Sequence, residues 1–136
     1  MKFNNWQAFD CAVARLAAAL SGDFIDRNCV YGESRGGLCL AVALSHRLEL
    51  PLVLEKKDIT GKAIWVDDIL DSGKTFEEAA GSMPPDTIFA VWHIRASQRD
   101  KHSRVVFCEI VNDEWMVYPW ESAVNAKRER EDYANK

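Results

Sequence analysis

At 136 residues, 48% of them apolar, the chain has the length of one domain and enough apolar residues for one real core; its formal charge of −4 disfavours a nucleic-acid surface. No apolar run approaches the ~20 residues of a membrane span, so neither nucleic acid nor membrane is an expected partner. The N-terminus "MKFNNWQAFD" lacks a signal-peptide core, and Cys11, Cys29, Cys39 and Cys108 form no C-x-x-C pair; reduced thiols in a cytoplasmic setting are the expectation, without structural zinc or a disulfide framework.

Trp6, Phe9, Val13, Leu16, Ala17 and Leu20 recur at helical spacing and predict a helix over 5–20, stopped by Ser21-Gly22. A short apolar run, 29–31, precedes the Gly-rich "GESRGG" (32–37), and 38–48 reads as a second helix. Residues 50–54 read as a strand, 59–62 as a turn, and "AIWV" (63–66) as a buried strand. A helix over 75–83 ends at Pro84-Pro85. Strands follow over 87–94 and 104–111, with a further short one at 115–118. After Pro119 the chain becomes charged, and 123–136 reads as a solvated helix or frayed tail without a function. Strands alternating with helices predict a mostly parallel sheet with right-handed crossovers, whose ligands bind beyond the carboxyl ends of the strands. Both Gly-containing loops, 32–37 and 67–74, follow a strand and precede a helix. They should therefore meet on one edge of the sheet.

The second loop, "VDDILDSGKT" (66–75), ends like a nucleotide-triphosphate P-loop. That pattern, G-x-x-x-x-G-K-[ST], requires glycine at position 68, where Asp68 stands and would repel phosphate. The remaining chemistry still suits a phosphate. Backbone N–H groups of 71–75, with the Ser72 and Thr75 hydroxyls, can surround one phosphate at a helix N-terminus. Asp67 and Asp68 can accept hydrogen bonds from vicinal hydroxyls and help hold a Mg²⁺ bound mainly by ligand oxygens. Paired hydroxyls beside one phosphate describe a ribose 5-phosphate. Ser72 and Thr75 could simply be helix caps, but capping does not account for two acids directly after an apolar strand.

"IWVDDILDSGKT" resembles the 5-phosphoribosyl 1-diphosphate (PRPP) motif of type I phosphoribosyltransferases. "YGESRGGLCLAVALSHRL" resembles that family's pyrophosphate loop and following helix, "WQAFDCAVARLAAAL" its first helix, and "WMVYPWE" (115–121) the C-terminal hood of the bacterial xanthine–guanine (hypoxanthine) branch. The resemblance covers roughly residues 5–122. It implies an α/β type I phosphoribosyltransferase fold, a central mostly parallel sheet flanked by helices. The domain would occupy 1–122, with a short hood at about 109–122, and 123–136 would remain a charged tail.

The resemblance also implies roles. Asp67 and Asp68 would bind the ribose hydroxyls, Asp68 also lying near Mg²⁺. Asp71, Ser72, Gly73, Lys74 and Thr75 would bind the 5-phosphate, with Asp71 the catalytic carboxylate that handles the N7 proton of a purine. Ser34, Arg35, Gly36 and Gly37 would hold the pyrophosphate, in a loop of a kind that often contains a non-proline cis bond, here at Ser34–Arg35. Arg95, Trp115 and Met116 would contact the base, and Trp115 reads equally well as a core or interface residue. The implied activity is that of a purine phosphoribosyltransferase using Mg²⁺, joining PRPP and a 6-oxopurine into a nucleoside monophosphate and pyrophosphate, in a homodimer or homotetramer. A PRPP- or nucleotide-binding regulatory protein without transfer activity, or a transferase for a non-purine acceptor, is the alternative.

Two departures from the family bear on that choice. The family's long flexible lid between the two loops has only "ELPLVLEKKDITGK" as its counterpart, and Arg95 stands near the family's base-contacting Lys. Trp65 and Trp92 read as core, and His46, His93 and His102 as structural or surface residues. The basic stretch Arg95, Arg99, Lys101 and Arg104 reads as a solvated loop or as a completion of the pyrophosphate site.

Overall fold

The computed structural model describes residues 1–22 and 26–135. Its elements run β1 (Lys2–Phe3), α1 (Trp6–Gly22), β2 (Cys29–Gly32), α2 (Leu38–Leu48), β3 (Leu52–Val53), β4 (Ala63–Leu70), α3 (Lys74–Ser82), β5 (Ile88–Arg95), β6 (Val105–Val111), β7 (Met116–Val117) and α4 (Ala123–Ala134). Single 3₁₀ turns lie at Lys56–Asp58 and Ala96–Gln98. Five strands form one parallel sheet in the order β3-β2-β4-β5-β6, and β1 pairs with β7 in a separate parallel ribbon. No helix among the described residues is long and apolar enough to cross a membrane.

Alternation along the strands divides the core into two layers. Val30, Ile64, Val66, Ala90 and Trp92 face α1 and α2, whose Leu16, Leu20, Leu40 and Leu44 are almost wholly buried. Tyr31, Ala63, Trp65, Phe89 and Val91 face α3 on the other side, meeting Ala79 and Met83. Trp65 and Trp92 are core residues at 1% exposure, as their setting in apolar runs implied.

The strand order fixes where a ligand can sit. From β2 the chain moves outward to β3, then crosses back to the other side of β2 to lay down β4. The sheet therefore reverses direction between β2 and β4. Loops leaving those two strands diverge and open a crevice at their carboxyl ends. Gly37 and Gly73, the residues that begin α2 and α3, stand at this edge.

Two strand expectations are corrected. The strand expected over 50–54 shrinks to Leu52–Val53, because Pro51 has no N–H to donate and serves only through its carbonyl, which accepts from Val30 N at 2.9 Å. The strand expected to end at Val66 continues to Leu70, pairing Asp67 with Val91, Ile69 with His93 and Leu70 with Ile94. The acid pair interrupts the apolar pattern without interrupting the ladder. The charged C-terminal segment is a helix capped by the Ser122 hydroxyl, which accepts from Asn125 N at 3.3 Å, and it buries Ala126.

The approach of α2 to the sheet is testable. A Cβ at Gly37 would run into the Val66 carbonyl and come within 2.9 Å of the Asp67 Cα. Both neighbours are backbone in a central strand and have no room to yield. Gly37→Ala is expected to lower stability by about 1–3 kcal/mol, read from the urea midpoint; an unchanged midpoint would show that the loop rides higher on β4 than described.

Candidate active site

The two loops expected to converge do touch. Glu33 N donates to the Val66 carbonyl at 2.8 Å, so the first loop begins by hydrogen-bonding β4. A Cβ at Gly36 would run into the Asp68 carboxylate, which places the loop backbone against the acid pair. The Ser34–Arg35 peptide is cis. Arg35 lines a 450 Å³ cavity together with Gly36, Asp68 and Glu121.

Asp67 and Asp68 are half-buried at the floor of the crevice. Their side chains fold back on the strand: Asp68 N donates to Asp67 Oδ1 at 2.8 Å and Ile69 N to Asp68 Oδ1 at 2.7 Å. Burial pushes both carboxyls up, and Asp67, which also feels the charge of Asp68, reaches about 9. Two acids this close do not readily carry two charges without a cation. Their hard oxygens suit Mg²⁺. Among the described residues no three His, Cys, Asp or Glu side chains gather as a closed metal site, so such an ion would take its other ligands from substrate and water.

Asp71-Ser72-Gly73 forms the turn between β4 and α3. Gly73 has φ +87°, a left-handed conformation that glycine adopts without penalty, and the turn borders a 490 Å³ cavity lined by Trp65, residues 67–76 and Tyr133. Gln98, buried in the β5–β6 connection, holds the turn from behind by donating to the Ser72 carbonyl at 3.2 Å. No pattern in the sequence identified Gln98, because its partner is a backbone atom brought near only by the fold.

Arg95 sits at the end of β5, and its expected freedom to meet a base is reduced. Its Nε donates to Asp71 Oδ1 at 2.8 Å, and Nη1 donates to the carbonyls of Asn112 (2.5 Å) and Glu114 (2.7 Å). Arg95 thus fastens the segment before β7 to the Asp71 turn and leaves Nη2 as the donor that no described residue takes. Arg95, Asp71 and Trp115 line a 780 Å³ cavity. Met116 has a buried side chain. The β1–β7 bonds shown use the carbonyls of Trp115 and Val117, which leaves the Met116 N–H and C=O on the strand edge away from β1. Met116 also lines a 110 Å³ recess with Asp68, Asp71 and Arg95.

Beneath the acid pair lies a chain of aromatic and polar groups. His93, fully buried on β5, places Nδ1 3.0 Å from the Tyr118 hydroxyl, which in turn donates to the Asp68 carbonyl at 3.3 Å. In that arrangement His93 donates through Nδ1, and Nε2 faces Glu109 at 3.3 Å without a well-aligned bond. Burial holds the imidazole down at about 4, against the pull of Glu109, so it is neutral at pH 7. Trp120 stacks on Tyr118 with centroids 5.2 Å apart, tying the C-terminal segment to this floor. His46 is exposed and His102 contacts Gln98. Arg104 donates to the Pro85 carbonyl at the opposite edge of the sheet, so it does not complete a pyrophosphate site; Arg99 and Lys101 are exposed.

No family model and no curated protein matches the chain by sequence. Solved structures do match. The chain is similar to a purine phosphoribosyltransferase from Pyrococcus horikoshii Ot3 (26% identity, TM-score 0.69, 88% of this chain and 93% of that one). It is also similar to the xanthine-guanine-hypoxanthine phosphoribosyltransferase of Helicobacter pylori (16%, 0.71, 93% and 97%). A hypothetical protein from Neisseria gonorrhoeae with bound ppGpp matches as well (16%, 0.68, 98% and 96%). The chain has the type I phosphoribosyltransferase fold.

Two outcomes follow from this geometry. The unfolded chain releases the Asp67 proton near its ordinary value of 3.8, whereas the folded chain holds it to about pH 9, so this group's contribution to stability is complete below pH 3.8 and is lost as pH rises through that window. Asp67→Asn keeps an acceptor for Asp68 N and removes the titration. In EDTA the variant should melt a few degrees above wild type at pH 8, with the gap closing near pH 4; a lower Tm at pH 8 would contradict the assignment. Arg95→Lys cannot make three bonds in a fork and should cost about 1–3 kcal/mol in urea denaturation.

Proposed function

We propose that this protein is a phosphoribosyltransferase that moves the 5-phosphoribosyl group of PRPP to a 6-oxopurine, releasing pyrophosphate. The observation that carries the reading is the abutment of Gly36 on the Asp68 carboxylate at the switch point of the sheet. It makes one crevice from a cationic loop, an acid pair and a helix-N-terminal turn, the three features that a diphosphate, paired ribose hydroxyls and a 5-phosphate call for.

Each residue then has a task. Backbone amides of 71–75, with Ser72 and Thr75, hold the 5-phosphate, and Asp67 and Asp68 accept from the ribose 2- and 3-hydroxyls. Ser34, Arg35, Gly36 and Gly37 hold the diphosphate, Arg35 balancing its growing charge as the bond from C1 to the diphosphate oxygen breaks. The C1–N9 bond forms, and the N7 proton passes to Asp71, whose carboxylate Arg95 orients. Bound Mg²⁺ would neutralise diphosphate oxygens and relieve the acid pair. Arg95 Nη2 and the Met116 backbone face the oxygen-bearing edge of the purine, and Trp115 covers a ring face.

A regulatory nucleotide-binding protein is the second reading. It is favoured by the stretch between α2 and β4, which holds only a two-residue strand and a 3₁₀ turn and supplies no lid, and by the ppGpp bound to the Neisseria gonorrhoeae protein of similar fold.

Turnover separates them. With saturating Mg²⁺-PRPP, guanine, xanthine or hypoxanthine should outperform adenine, uracil and orotate by at least tenfold in kcat/KM. Adenine or a pyrimidine as the best acceptor would remove Arg95, Trp115 and Met116 from the base site. Binding of PRPP with no base turned over would establish the regulatory reading. Asp67→Asn with Asp68→Asn should abolish thermal stabilisation by Mg²⁺-PRPP.

A further inference from the structure

Helix α4 lies across the crevice. Asn125, Ala126 and Glu129 line the cavity that contains Arg35 and Asp68, while Arg130 and Tyr133 line the one that contains Asp71, Arg95 and Trp115. Tyr133 also borders the phosphate-loop cavity. Ala126, Glu129, Arg130 and Tyr133 fall on one face of a 3.6-residue helix, so this placement follows from how the helix is turned. Its first turn is fixed by the Ser122 cap and the buried Ala126. Its last turn rests on one aromatic contact, Tyr133 against Trp115, with centroids 5.5 Å apart and planes at 54°, while Tyr133 remains 53% exposed.

A flat ring held between two aromatic faces needs them about 7 Å apart, twice an ordinary van der Waals separation. The Tyr133 and Trp115 rings, tilted by 54° with centroids 5.5 Å apart, admit a flat ring only if Tyr133 turns toward parallel and the free end of α4 moves outward, and the fixed first turn of α4 leaves that end the one to move. Arg130, on the same face, brings a second guanidinium into the cavity of Arg95. No residue of the α2–β4 stretch lines this cavity, whereas α4 supplies three of its lining residues.

Building on the purine reading above, we propose that α4 is the outer wall of the base subsite. Tyr133 stacks on the purine face opposite Trp115, and Arg130 donates to the ring's oxygen substituents. The base enters by parting Tyr133 from Trp115, and the last turn of α4 then closes over it and excludes water.

Calorimetric titration of guanosine 5′-monophosphate and of ribose 5-phosphate into wild type and four variants tests this. Tyr133→Ala should weaken the nucleotide about tenfold, the worth of one aromatic stack, and affect ribose 5-phosphate far less. Tyr133→Phe should stay within about twofold of wild type, Arg130→Ala should weaken the nucleotide, and Arg128→Ala, on the opposite face of α4, should change nothing. Nucleotide affinity unaltered in Tyr133→Ala, or lost equally for ribose 5-phosphate, would overturn the wall while leaving the transferase reading in place. Failure of wild type to bind guanosine, xanthosine or inosine monophosphate would overturn the purine reading itself, and the wall with it.

Discussion

The loop of Gly36 and Gly37 runs so close to β4 that a methyl group on either would enter the space of the Asp68 carboxylate or the Val66 carbonyl. The rest of the crevice depends on that approach. It brings Arg35 to the same cavity as Asp68, begins α2 against the sheet, and makes two loops that are 30 residues apart in sequence into one surface. It is possible only at the reversal between β2 and β4, where neighbouring strands send their connections in different directions. A larger residue at either position would lift the loop and part Arg35 from the acid pair.

The same approach creates an electrostatic debt. Asp67 and Asp68 stand side by side among buried apolar strands, and both carboxyls are pushed up. The pair therefore costs stability at neutral pH, and a cation beside it would offset that cost. Arg95 plays the complementary part, since its three bonds hold the Asp71 turn and the segment before β7 in one arrangement before any ligand arrives.

Most of this was legible in the sequence where local chemistry and periodicity agree. Helix α2 was read to the residue, and the convergence of loops 32–37 and 67–74 followed from strand–loop–helix order alone. What escaped was set by contacts distant along the chain. The extension of β4 through Asp67 to Leu70 depends on pairing with β5, and two carboxylates conceal it in any hydrophobic pattern. Gln98, Tyr118 and Glu121 act through backbone atoms or through neighbours that only the fold supplies. Arg95 was placed correctly at the end of its strand, but its engagement with Asp71 could not be read from a residue type. The C-terminal segment, read as a tail without a function, carries Ala126, Arg130 and Tyr133 on one face; that spacing was visible, but a single small apolar residue among charges gave no reason to seek a partner for it.

A crystal structure with Mg²⁺ and PRPP tests the central claim most directly, because the claim is that two loops form one binding site. The diphosphate should lie on residues 34–37, the ribose hydroxyls within hydrogen-bond distance of Asp67 and Asp68, and the 5-phosphate on the amides of 71–75, all in a single molecule of ligand. PRPP bound with its diphosphate away from the 34–37 loop, or with its ribose turned from the acid pair, would contradict it.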